Sequence, residues 1–382
     1  MNHRRVKCLL VAVFSLFSCF VFAQNGPGEG GKTEKNSFNA NEVIFGHVLD
    51  AHEFHFFSYE GSDGKEHAAV IPLPVILYSP QKGFSVFMSS KFHHGEQNYN
   101  GYSLITEEKL KELDPKKYHA GQIVAVNNEG EIDEGVKVYD FSLTRNVVQM
   151  ILALTLLVWI MLSIAKKYKN GEGIHSAPKG TQSLLEPVIN FIKDEVAKPN
   201  LGRKYQKYLP YLLTVFFFIL INNLVGLIPG TANVTGNIAF TMVLAVISFI
   251  VILFSTNGHY WKHIFWPPVP HGIKPILIPV EILGIFTKPF ALMIRLFANM
   301  IAGHIIIICL ISLIFIFGAL SKAIGWGFSP LSVAFVIFIY FIEILVAFLQ
   351  AYIFTNLTAV FISQAFEGSH DDTDHHEDAL IV

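Results

Sequence analysis

The sequence predicts an all-α polytopic membrane protein of five crossings, two of them long tilted C-terminal helices, with a small exported, β-containing N-terminal domain. Three observations predict it. Charge is scarce: 15% of the 382 residues are Asp, Glu, Lys or Arg and 52% are hydrophobic, against roughly 25% and 45–50% in soluble domains. Uncharged stretches are long, with no Asp, Glu, Lys or Arg between Lys207 and Lys262. Residues 24–145 break this pattern with polar sequence and short apolar runs. A formal net charge of −2 leaves no basic field for nucleic acid. The three cysteines, Cys8, Cys19 and Cys309, sit in hydrophobic segments, which excludes a disulfide scaffold and a thiolate zinc site.

The elements follow in order. Residues 1–23 read as a signal peptide: Arg4, Arg5 and Lys7 precede the apolar run Leu9 to Phe22, with cleavage expected after Ala23. The competing reading is a first transmembrane helix. Residues 24–145 form an exported soluble extension, with a linker at 24–41. Short strands are expected near Val43–Val48, Phe54–Tyr59 and Val75–Tyr78. Its histidines (47, 52, 55, 67, 93, 94 and 119) lack metal-ligand spacing and read as solvated surface.

The membrane domain spans 146–366. Its first crossing, about 146–165, is long enough for a bilayer and ends at Lys166, Lys167 and Lys169, which places that end in the cytoplasm. Residues 181–199 carry Leu184, Leu185, Val188, Ile189, Ile192 and Val196 at helical spacing, an amphipathic helix. Crossings at about 208–228 and 235–256 form a hairpin around Pro229-Gly230. The last two, at about 290–320 and 331–362, are separated by Lys322 to Pro330. An unbroken helix from Ile276 to Phe317 reaches roughly 60 Å, so it must tilt or break, with a bend expected at Pro289. Five crossings put the acidic, His-rich tail 367–382 in the cytoplasm and residues 24–145 in the periplasm of a bacterial inner membrane. The tail reads as solvated rather than metal-binding.

Ionisable residues inside apolar spans are functional hypotheses by default. Arg295 is the sole Asp, Glu, Lys or Arg between Pro289 and Ser321, and Glu343 the sole one between Lys322 and Glu367. The competing reading of Arg295 is a snorkelling flank. Glu281, Lys288 and Arg295 recur every seven residues, within about 20° of one helical face. Asn299 lies one turn further on, and Ala298 and Ala302 on that stripe let another helix approach. His304 falls on the opposite side. Glu343 and Gln350 share one face of the last helix, so packing that sets His304 against Glu343 turns both away from Arg295.

Ile294-Arg295-Leu296-Phe297-Ala298-Asn299-Met300-Ile301-Ala302-Gly303-His304 closely resembles the arginine signature of subunit a of F-type ATP synthases. Pro279-Val280-Glu281, Lys288-Pro289, Leu349-Gln350-Ala351-Tyr352-Ile353-Phe354, Asn222-Asn223-Leu224 and Ala232-Asn233-Val234-Thr235 resemble further family segments, covering about residues 140–366. The resemblance implies a non-catalytic stator subunit, without cofactor, that offers two half-channels to a rotor ring of small hairpin subunits (subunit c). It also implies contact with peripheral-stalk subunit b, the remaining complex and lipid. By similarity Arg295 separates the half-channels, Asn299 lines the ring-facing surface, Gln350 neighbours it, and Glu281 matches the family's acidic position. Many bacterial members have Glu at position 304 and His at position 343, so here the pair is exchanged. Gly226 stands where some members carry an acidic residue, which leaves Asn222 and Asn223 as candidates for the outer half-channel. The extension 24–145 lies outside the resemblance. A proton-coupled secondary transporter is the alternative reading, and a sensor built on the exported domain a third. No Gly-x-x-x-x-Gly-Lys-Ser/Thr loop is present to bind nucleotide.

Overall fold

The computed structural model describes residues 50–60, 66–95, 97–110, 113–114, 117–127, 130–171, 180–228, 230–266 and 274–366. The expected signal peptide, the linker 24–41, the run 43–48 and the tail 367–382 lie outside the described residues.

The extension builds small antiparallel sheets. β1 (Glu53–Glu60) pairs with β2 (Glu66–Pro72). β3 (Pro74–Ser79) lies between β4 (Gly83–Met88) and β7 (Tyr139–Asp140). β5 (Tyr102–Leu104) pairs with β6 (Ile123–Ala125). Period-two alternation orients the central strand: Val75, Leu77 and Ser79 are buried while Pro74, Ile76 and Tyr78 are half-exposed. Val75 and Leu77 meet Phe92, Tyr102, Ile123 and Ala125 in the domain core. Two of the three strand runs read from sequence, 54–59 and 75–78, coincide with β1 and β3.

His52 departs from the expectation of a solvated histidine. It is 8% exposed, and its Nε2 lies 2.9 Å from Asp140 Oδ2. Burial alone would raise Asp140, but hydrogen bonds from His52 and Ser142 outweigh it and hold the carboxyl below its usual range. The partners are 88 residues apart, beyond the reach of local spacing rules.

The membrane part is helical. α1 is Arg145–Lys169. α2 (Thr181–Phe191) continues through a π-helical turn, Ile192–Ala197, and a short helix, Lys198–Leu201. A 3₁₀ turn, Gly202–Lys204, then leads into α3 (Tyr205–Gly226). α4 is Ile238–Phe254 and α5 Gly258–Phe265. α6 (Lys274–Leu320) and α7 (Lys322–Phe366) are the longest. Among the described residues, four helical runs are long and apolar enough to cross a membrane: α1, Thr181–Gly226, α6 and α7. α4, at 17 residues, reaches about 26 Å at 1.5 Å per residue.

α6 runs helically through both Pro279 and Pro289; a proline removes one backbone donor, and neighbouring helices sustain the rest. One expectation needs correction. The connection expected at 322–330 shrinks to Ser321, with Pro330 inside α7. Glycine permits this tight reversal: a Cβ on Gly325 would sit 2.7 Å from the Gly318 Cα. The Ser332 hydroxyl then ties α7 to the Leu310 carbonyl of α6.

α6 packs mainly on α7, and α7 on α3. The inward face of α7 is narrow, with Ala347, Ala351, Thr355, Thr358 and Ala359 fully buried, so backbones approach closely. Leu212, Phe216, Ile219, Leu292, Leu296 and Phe354 fill the space around this seam.

Candidate functional site

Helical periodicity divides α6 into two faces. Leu292, Leu296 and Met300 are buried, while Arg295, Asn299 and Ala302 are exposed and Ala298 is half-exposed. From Arg295 to Ala302 the stripe read from sequence is therefore an outward surface, and its guanidinium stands in the open. An apolar helix that presents a cation, an amide and small side chains outward fits a second helical surface more closely than bulky side chains permit.

Asn299 links that surface to the interior. Its Nδ2 donates to Gln350 Oε1 at 2.8 Å, and Gln350 is 2% exposed. Glu343, seven residues before Gln350 on the same face of α7, is 8% exposed. Its carboxylate lies against Gly303, where any Cβ would overlap Oε1. His304 is the next residue along α6 and is half-exposed. The structure thus brings His304 and Glu343 to one level of the α6–α7 contact, and Arg295 to the outer face two turns away.

Asn222 and Asn223 are both fully buried. Asn222 Nδ2 donates to the Phe218 carbonyl of its own helix at 2.8 Å. Asn223 Nδ2 donates across to the Ala347 carbonyl of α7 at 3.2 Å, one turn beyond Glu343. Asn223 Oδ1 and Glu343 Oε2 are enclosed without a hydrogen-bond partner among the described residues. Buried polar atoms are normally paired, so this seam retains unused hydrogen-bonding capacity.

Glu281 and Lys288 lie toward the other end of α6. Lys288 Nζ donates to Gln364 Oε1 of α7 at 2.8 Å, which turns this cation to the partner helix. Glu281 is half-buried and approaches α5, where burial, with the nearby Glu281 charge, raises the Tyr260 phenol above its usual range. The seven-residue stripe is real as a face, but its three charges serve different neighbours.

The family model for the ATP synthase A chain matches residues 147–363, more than half of the chain. The chain belongs to the ATP synthase subunit a family. It is 48% identical over 238 residues to ATP synthase subunit a of Chloroherpeton thalassium, covering 61% of this chain and 69% of that protein. It is 45% identical over 265 residues to ATP synthase subunit a 2 of Chlorobaculum tepidum, covering 64% and 71%. To ATP synthase subunit a of Myxococcus xanthus it is 41% identical over 246 residues, covering 63% and 78%. Residues 43–141 match a separate model, Domain of unknown function (DUF8433). As a subunit a, the chain is a non-catalytic, proton-translocating membrane component, which favours the stator reading over the transporter.

Sequence reasoning missed three features here: the seat of Glu343 on Gly303, the bond from Asn223 to α7, and buried Gln149 and Asn233. An amide in a largely apolar span was the available signal for Gln149. Nothing local indicated its partner, 83 residues away.

Proposed function

We propose that this chain is the stator wall of a rotary proton path, with Arg295 separating two half-channels. The observation that carries this reading is the exposed Arg295 on an apolar helix, one turn from an Asn299 tied to buried Gln350. A guanidinium stays protonated in a protein, so it relays no proton itself. It attracts an ionised carboxylate on a passing rotor subunit and lowers its pKa, which favours proton release. Its fixed charge also opposes a direct leak between half-channels. Asn299 and Gln350 fix the polar edge of this contact, and Ala298 and Ala302 let the rotor helix approach.

On the other side of α6, His304 and Glu343 form an acid–base relay in the outer half-channel, with Asn222 and Asn223 lining its wall. Glu281 borders the inner half-channel. α1, α3, α4, α6 and α7 make five crossings. A cleaved signal peptide places the strand-rich domain in the periplasm, and the tail 367–382 is cytoplasmic. The partners are a ring of subunit c, peripheral-stalk subunit b and the remaining complex.

The test is Arg295→Ala in the complete complex in membrane vesicles. Ion-driven ATP synthesis is expected to fall at least about 100-fold, the scale of losing one electrostatic stabiliser, with assembly intact. Arg295→Lys should restore little, because a desolvated ammonium loses its proton where guanidinium does not. Normal ATP-driven proton pumping by Arg295→Ala would overturn the reading.

A further inference from the structure

Gln149 occupies the second turn of α1 and is 4% exposed. Its amide uses both ends on one residue of the α3–α4 loop. Nε2 donates to the Ala232 carbonyl at 2.5 Å, and Oε1 accepts from the Ala232 amide at 2.7 Å. The next residue, Asn233, extends the chain of contacts: its Nδ2 donates to the Met300 carbonyl of α6 at 3.2 Å. Asn233 Oδ1 accepts from the Gly236 amide at 3.0 Å. Gly236 leaves no room for a Cβ, which would sit 2.6 Å from Asn233 Nδ2, so the Asn233 rotamer is held from both sides.

Met300 directly follows Asn299. The outer end of α1 is itself pinned: the Arg145 amide donates to the Ala51 carbonyl at 3.0 Å, and the Asn146 amide to Asp50 Oδ1 at 3.3 Å. One turn of helix therefore carries the strand-rich domain at its start and the loop clamp at its end. A bidentate amide fixes orientation as well as distance, and in a low-dielectric interior such a chain of hydrogen bonds is stiff.

We propose that Gln149 is a positioning residue: through Ala232 and Asn233 it sets the place of the α6 turn that carries Asn299, and so the register of the outward-facing stripe. This rests on the proposed proton path. The predicted consequence is a loss of proton flux at constant assembly when the clamp is cut, although Gln149 touches neither Arg295 nor Asn299.

The experiment compares Gln149→Leu, Gln149→Glu and the unaltered chain in the complete complex in phosphatidylcholine–phosphatidylglycerol vesicles. Two readouts are taken: amide hydrogen exchange over residues 230–237, and ATP-driven proton pumping per assembled complex. Gln149→Leu should speed exchange at Ala232 and lower pumping several-fold. Gln149→Glu should regain pumping relative to the unaltered chain as the medium facing α1's outer end is acidified, because a protonated carboxyl again donates to the Ala232 carbonyl. A purely structural role would move thermal stability and assembly and leave pumping per assembled complex unchanged. Unchanged exchange at Ala232 in Gln149→Leu would overturn the clamp. Faster exchange with unchanged pumping would overturn the positioning role while leaving the Arg295 assignment intact, since that assignment stands or falls on Arg295→Ala.

Discussion

Two arginines of this molecule stand in opposite surroundings. Arg145 begins α1 at 6% exposure, with the Asp50 charge beside it, at the junction with the strand-rich domain. Arg295 lies mid-helix in an apolar segment and is exposed. In a soluble protein the buried cation would attract attention, because burying charge is costly unless it is paired. Here the difference teaches the opposite lesson. The buried arginine has the Asp50 carboxylate of its own chain beside it. The outward one is exposed, which suits the proposed surface over which carboxylates pass in turn.

The contrast is sharpest in the pair Arg295→Ala and Arg145→Ala. The first should abolish ATP synthesis while leaving the thermal unfolding of the complex in place. The second removes a buried guanidinium beside Asp50 and should cost about 1–3 kcal/mol of stability, the scale of losing a buried polar contact, and change pumping per assembled complex less than twofold. A thermal shift for Arg295→Ala with normal pumping would reverse the two roles.

The next largest effect is expected at the α6–α7 seam. His304→Glu and Glu343→His should each lower proton flux by about tenfold, less than the roughly 100-fold or more of deleting an acid–base group outright, because each replacement still titrates. The double exchange should recover more than either single change. Strict additivity in the double-mutant cycle would show that the two residues act independently. Gly303→Ala probes the same seam by volume: the new Cβ overlaps the Glu343 carboxylate, and overpacking of about 1–3 kcal/mol should slow pumping severalfold. Gly284→Ala, with open space around its Cβ, serves as the matched control and should be neutral.

The smallest effect belongs to the strand-rich domain. Asp140→Asn removes the ionised partner of His52 and should cost about 1–2 kcal/mol in that domain without altering proton flux. Because Asp140 is held below the usual carboxylate range, its contribution is present above the ordinary Asp pKa of about 4 and fades as pH falls through the folded value. Acid unfolding of the Asp140→Asn protein, followed by circular dichroism, should show a shallower pH dependence than the unaltered chain.

The apolar runs read at 146–165, 208–228 and 235–256 lie within about four residues of α1, α3 and α4, because a bilayer demands about 20 apolar residues per crossing and leaves any charge conspicuous, whereas α6 and α7 begin well before the runs read at 290–320 and 331–362. The outward stripe of Arg295, Asn299 and Ala302 was legible for the same reason: a regular helix repeats its faces, and α6 is one unbroken helix. Helix ends were read less well. The reversal at Ser321 depends on Gly318 meeting Gly325, a contact between two helices rather than a local signal.

What the sequence determined by itself was therefore everything governed by chain-local periodicity: the apolar spans, the strand alternation at Val75 and Leu77, and the isolation of Arg295 and Glu343. Only the tertiary structure decided which side chains meet. His52 with Asp140, Asn223 with Ala347, Glu343 with Gly303 and Gln149 with Ala232 each join segments at least 40 residues apart. The physical reason is the short range of the forces involved. A hydrogen bond acts over about 3 Å, so its partner is fixed by how helices and strands pack, and spacing along the chain carries no record of it.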